Sequence, residues 1–251
     1  MDINVVSGDI TQRQVAAVIV NLFQGMEEPR GATRTVDRLL GGAISGLIKD
    51  GETKGKEGEM TLIHTLGRMH PSRVLIAGLG KQSDFTQGTI RAVMAKACRT
   101  LRGIGVRDIA TVAHGVGVGD LNSKTSAKAI AEGALLGLYR FDKYKSQQKN
   151  ETTNIDKITV VESDIAELDA LEKGITEGSV VAKASNLCRD MSNEPANHMT
   201  PARMAEIALE VARETGLGIE VMDQEKMAEL GMGALLGVAQ GSVKSPKLII
   251  L

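Results

Sequence analysis

Hydrophobic and polar positions change their period several times along the chain, and each change marks an element. Ile3-Asn4-Val5-Val6 and Ala16–Val20 are short apolar runs that predict two strands separated by Ser7-Gly8-Asp9-Ile10-Thr11. Val36, Leu39, Leu40, Ala43, Ile44 and Leu47 then recur at helical spacing, predicting one amphipathic helix closed by Asp50-Gly51. A polar, turn-rich loop over 51–59 leads to two strands, Met60–His64 and Arg73–Ala77, around His70-Pro71. Ile90, Val93, Met94, Ala97 and Leu101 predict another helix, 108–114 a strand, and Ala127, Ile130, Ala131, Ala134, Leu135 and Leu138 a further helix. A polar spacer over 143–154 precedes a last strand, Ile158–Val161. This alternation predicts an α/β fold, a mixed, mostly parallel sheet between helices, complete by residue 162.

The pattern then changes. Gly174 is read as a break, after which Val180, Ala184, Leu187, Cys188 and Met191 share one face of a connecting helix. Pro195 pushes Glu194 toward extended dihedrals and ends that helix near Met191. Thr200 as cap and Pro201 in the first turn start the next, along Met204, Ile207, Ala208 and Val211 to Gly216-Leu217-Gly218. A strand over Ile219–Met222, a short helix ending at Leu230-Gly231 and an apolar strand over Leu248–Leu251 follow. Four exposed aliphatics forfeit about 1.5–3 kcal/mol each. Residues 193–251 therefore read as the opening βα units of a second, incomplete α/β domain, cut short or docked on a partner chain. The expected organisation is a domain over 1–162, connecting helices over 163–192 and the second domain over 193–251.

Composition narrows the partners. The chain has 251 residues, with 30 basic against 31 acidic side chains, scattered rather than clustered. That balance argues against a strong nucleic-acid or anionic-membrane surface. Aromatics make up 2% of the chain, too few for a stacking platform. The two cysteines, Cys98 and Cys188, lie in helical apolar patterns and are expected as buried free thiols in a reducing compartment. No apolar run has membrane-spanning length and the acidic start lacks a signal-peptide n-region, so a cytoplasmic protein is expected.

Candidate chemistry is sparse. Gly78-Leu79-Gly80-Lys81 follows a strand, but Ser83 stands where a dinucleotide fingerprint needs its third glycine. Gly115-Val116-Gly117-Val118-Gly119 also follows a strand and reads as a tight strand exit ahead of an anion cradle. Asp9 reads as a turn residue. His64 and His70 have no companion at metal spacing and are expected to be solvated or core histidines. Met199, Met204, Met222, Met227 and Met232 are expected in core packing. No D-x-D, H-E-x-x-H or C-x-x-C framework occurs, so no metal ligand and no catalytic residue is assigned.

Two resemblances carry the functional expectation. Gly8-Asp9-Ile10-Thr11 with the run to Asn21 is similar to the start of macro domains. In those, an aspartate contacts adenine and a glycine-rich loop cradles the phosphates of ADP-ribose. The resemblance implies a ligand role for Asp9, Gly115, Gly117 and Gly119 only as an alternative. Asn193-Glu194-Pro195-Ala196-Asn197, Thr200-Pro201, Gly231-Met232-Gly233-Ala234-Leu235-Leu236 and Gln240-Gly241-Ser242 resemble the beginning of the leucyl aminopeptidase catalytic domain. The amino-terminal domain of that family is itself macro-like. The resemblance implies a cytosolic exopeptidase acting on peptides, two divalent metals, zinc or manganese, in a full-length relative, and a homo-hexamer. The family's metal-binding motifs, Gly-Lys-Gly-x-x-x-Asp and Asn-x-Asp-Ala-Glu-Gly-Arg, have no counterpart here. The chain alone is therefore expected to be inactive, with a structural or assembly role.

Overall fold

The computed structural model describes residues 1–145 and 153–251, which divide into two compact units, Met1–Asn186 and Leu187–Leu251. Most of the expected spacer at 143–154 falls outside the described residues. The first unit is built on six strands: β1 (Asp2–Ser7), β2 (Ala17–Leu22), β3 (Met60–His64), β4 (Arg73–Gly78), β5 (Asp108–Val112) and β6 (Lys157–Glu162). Their order is β1-β6-β5-β2-β4-β3, and every pair is parallel except β3 against β4. The last strand in sequence thus lies inside the sheet, between β1 and β5.

Helices cover both faces. On one, α1 (Gly31–Leu39) and α2 (Ala43–Lys49) bury Val36, Leu40 and Ile44 against Val18, Val20, Val74 and Ile76. On the other, α3 (Gln87–Gly103), α4 (Ser123–Gly137) and the first part of α5 (Leu168–Asn193) pack on Ile19, Leu75, Ile109 and Ile158. Interior strands covered on both sides are apolar at nearly every position, as β2 and β4 are. Thr86 with Thr89 and Asn122 with Thr125 form capping boxes that start α3 and α4.

The single helix expected over 36–47 is two. Gly41 and Gly42 adopt φ of 69° and 82°, a left-handed turn that α-helix cannot continue through. Buried Asp37 then caps α2, its Oδ1 accepting the amides of Ile44 at 2.7 Å and Ser45 at 3.1 Å.

Gly174 is a packing site, not a break. The helix α5 runs through it, and a Cβ at Gly174 would meet Ala127 Cβ at 2.9 Å as well as the Lys124 carbonyl. One turn on, a Cβ at Gly178 would meet Ala131 Cβ at 3.0 Å and the Lys128 carbonyl. The buried face of α5 is therefore Leu171, Gly174, Ile175, Gly178 and Ala182, whereas Val180 is 63% exposed. The expected face, through Val180 and Cys188, is wrong because backbone approach rather than side-chain size selects the contact. This packing also carries the first unit to Asn186, within the segment expected to connect domains. Cys98 is buried as expected, but Cys188 is exposed.

In the second unit, α6 (Pro201–Thr215) begins as the sequence dictates: Thr200 accepts the Arg203 amide at 3.3 Å and Pro201 occupies the first turn. Gly216, at φ 75°, ends it. β7 (Glu220–Met222), α7 (Gln224–Glu229), α8 (Gly233–Ala239) and β8 (Leu248–Ile250) follow. Strands β7 and β8 pair antiparallel. Ile250 and Leu251 remain 46% and 60% exposed. Of the five methionines, Met227 alone is fully buried and Met204 is exposed.

The close approach of α5 to α4 sets a testable cost. Gly178→Ala should lower stability by about 1–3 kcal/mol, because backbone must move. Gly103→Ala, in a helix with open space around it, should leave stability unchanged or raise it by up to about 1 kcal/mol. Urea midpoints followed by circular dichroism compare the two; equal midpoints would remove the packing account.

Candidate functional site

The carboxyl ends of β1, β6, β5 and β2 open into a cleft of about 710 Å³ in the first unit. This is the end of a parallel sheet where ligand crevices form, since strand ends and the loops after them leave backbone and side chains facing solvent together. Its walls include Phe23, Met26, Val112 and Val161, with Asp9, Arg30 and Glu162 as charged groups. The first turn of α1, Gly31 to Thr33, also lines it.

Asp9 and Gly115, far apart in sequence, both line this cleft; Gly117 and Gly119 are not among the lining residues, while Val116 and Val118 are. The structure gives Asp9 a turn function. Its Oδ1 accepts both the amide and the hydroxyl of Thr11, each at 2.8 Å, and caps a 3-10 helix over Ile10–Gln12. Gly115 adopts φ 68° and sits against the Phe85 ring, where any Cβ would collide. Phe85 in turn packs edge-on to Phe23, with ring centroids 5.0 Å apart. Tight packing thus accounts for this glycine. Gly117 donates to the Leu121 carbonyl at 2.9 Å and Val118 to that of Gly115 at 3.0 Å, closing the loop on itself.

A buried polar chain beneath the cleft escaped the sequence reading. His114, just past the end of β5, is fully buried. Its Nδ1 lies 2.9 Å from Asn21 Nδ2, and its Nε2 lies 3.1 Å from Thr111 Oγ1 and 3.3 Å from Met94 Sδ. An amide nitrogen only donates, so Nδ1 accepts from Asn21 and the ring proton sits on Nε2. Burial pushes the imidazole down to about 4 and keeps it neutral. Asn21 lines the cleft, and its backbone carbonyl accepts the Thr33 hydroxyl at 2.7 Å. The available signal was local: two polar residues, each closing an otherwise apolar strand run. His64 and His70 are exposed.

Among the described residues, no three His, Cys, Asp or Glu side chains converge to hold a metal ion. In the second unit, a groove of about 610 Å³ is lined by Pro201, Leu235, Val238 and Pro246 with Lys244 and Lys247. No helix among the described residues is long and apolar enough to cross a membrane.

Residues 19–148 match the N-terminal domain of the cytosol aminopeptidase family, and residues 186–251 match the catalytic domain of that family. The chain belongs to the cytosol aminopeptidase family. It is 33% identical over 251 residues to a probable cytosol aminopeptidase of Alkaliphilus oremlandii, covering 100% of this chain and 50% of that protein. Against the cytosol aminopeptidase of Pseudomonas aeruginosa, identity is 37% over 239 residues, covering 95% and 48%. Among solved structures, a tomato leucine aminopeptidase mutant superposes with a TM-score of 0.81 at 23% identity, over 99% of this chain and 50% of that one. The bottromycin maturation enzyme BotP superposes with a TM-score of 0.72 at 26% identity, over 94% and 45%. The chain therefore corresponds to the amino-terminal part of a cytosol aminopeptidase and spans about half the length of the curated relatives it matches.

Neutral burial of His114 fixes the sign of a pH effect. As pH falls from 6.5, the unfolded chain takes up a proton that the folded ring refuses until about 4, so stability falls across that window. The loss from this group should reach about 3 kcal/mol. Urea unfolding of the full chain should show a shallower decline over this window in His114→Gln than in the wild type; parallel curves would rule the burial account out.

Proposed function

We propose that this chain furnishes the amino-terminal part of a metal-dependent leucyl aminopeptidase that removes amino-terminal residues from peptides in the cytoplasm. The observation that carries the reading is the match of both family domains in order, with the second beginning inside α5 at residue 186. The domain organisation we propose is a macro-like domain over 1–162, connecting helices over 163–192 and the opening of the catalytic domain from 193. In that setting two divalent cations, zinc or manganese, would supply Lewis-acid chemistry for the hydrolysis. Their ligands lie in the family motifs that this sequence lacks. The 251 residues by themselves contribute scaffold and assembly surface, within a hexamer.

The test is the intact mass of the protein from its native cells, with leucine-amide hydrolysis and light scattering on the same fraction. The proposal expects zinc- or manganese-dependent activity in a hexamer of subunits well above 26.6 kDa. It also expects no hydrolysis by the purified 251-residue polypeptide. Metal-dependent release of leucine by that polypeptide alone would overturn the division of labour.

A second reading is favoured by one observation: Asp9 and Gly115 line the same cleft. In it, the first unit binds ADP-ribose or a related nucleotide. Calorimetric titration of the full chain with ADP-ribose should saturate and weaken about tenfold in Asp9→Ala, the effect of losing a charged acceptor. Absence of saturable binding by the wild type removes this reading and leaves the first untouched.

A further inference from the structure

The second unit has helices and a strand pair but little interior of its own. Among the described residues, both clusters of buried apolar side chains lie in the first unit. Between Leu187 and Leu251 the buried apolar side chains are Ala205, Ala208, Ala212 and Met227, three of them small. Helix stripes and strand faces hold their place by burying against another element, and so little burial leaves this unit short of one.

The open surface is concentrated at the groove. Leu235 and Val238 of α8 line it with Pro201 at the start of α6 and with Pro246, and Val238 is 85% exposed. The segment after α8 carries fully exposed Val243 and leads to β8, where Ile250 is exposed as well. The charged side chains lining the groove are Lys244 and Lys247.

These features specify an occupant. Its contact must be apolar, because proline, leucine and valine side chains offer no polar partner, and its margin must carry carboxylates to meet the two lysines. A second copy of this chain does not supply that: a two-fold contact sets the same patch against itself, so lysines would face lysines. The family supplies it instead. Residues 186–251 match its catalytic domain, while the whole chain covers 50% of a relative such as that of Alkaliphilus oremlandii. Such relatives carry as much polypeptide again, in the domain to which the groove belongs.

Resting on the first reading above, we propose that the groove of the second unit is the seat of the remaining half of the catalytic domain. An apolar segment of that half enters between α8 and Pro246, with acidic residues beside it facing Lys244 and Lys247. The contact is non-covalent and forms whether that half is a separate polypeptide or is joined to this one.

The experiment mixes the full 251-residue chain with the uncovered half of the Alkaliphilus oremlandii protein as the probe, and reads complex mass by light scattering and affinity by titration. A one-to-one complex is expected. Val238→Glu and Leu235→Glu, which alter exposed positions and should leave the circular dichroism of the chain unchanged, should weaken it on the order of thirtyfold. Leu66→Glu, on an exposed loop of the first unit, should not. Reversing Lys244 and Lys247 to glutamate should slow association and abolish its dependence on salt. As a second measurement, with the same half joined to Leu251 in one chimaeric polypeptide, amide exchange in α8 should slow at least tenfold. No complex together with unchanged α8 exchange overturns the proposal. A complex indifferent to Val238→Glu overturns the groove as its seat, and one indifferent to the lysine reversals overturns the acidic margin. A dimer of the chain alone that Val238→Glu dissolves gives the groove to a second copy and overturns the occupant. Because these readouts are mass, affinity and exchange, a complex that hydrolyses no leucine amide leaves this inference standing and counts against the first reading alone.

Discussion

Burial of β2 and β4 on both faces is the constraint on which the first unit depends. A parallel strand in the middle of a sheet has no solvent side, so it must be apolar throughout and must find helices above and below. Val18 and Val20 turn to α1 and α2, Ile19 to α3 and α4. Pairing in parallel also brings the carboxyl ends of four strands to one edge, and the cleft follows from that alignment. Fold and cleft thus share one cause.

Close backbone approach is the second organising element. Gly133 and Gly137 allow α4 to settle against Arg91 and Ala95 of α3, while Gly174 and Gly178 of α5 settle on α4. Arg91 Nε donates to buried Glu132 at 2.6 Å, giving the carboxylate a partner where desolvation without one costs several kcal/mol. The same tightness shapes the floor of the cleft, since His114 is held by side chains from β5, α3 and α4 together. Burial keeps that imidazole neutral.

Much of this was legible beforehand. Strands and helices of the first unit fall where apolar periodicity puts them, and the start of α6 follows from Thr200 and Pro201. The motif around Asn193–Pro201 identified the family, because its order of Pro, Asn and Thr-Pro at a helix corner is specific. The misreadings concern glycine. At Gly41-Gly42 a positive-φ turn divided one apolar period into two helices, and at Gly174 an apparent break was a contact surface. A glycine symbol does not say whether it is present for its dihedral freedom or for its missing Cβ.

The sequence by itself determined the α/β class, the helix corner at Thr200-Pro201 and the family, because local periodicity, caps and ordered motifs are written in neighbouring residues. Only the tertiary structure decided that β6 lies between β1 and β5, which face of α5 is buried, and that Asp9, Asn21 and Gly115 meet at one cleft above His114. Those facts depend on contacts between residues far apart in sequence, Asn21 and His114 by 93 positions, and no local pattern encodes which distant strand or helix a residue will meet.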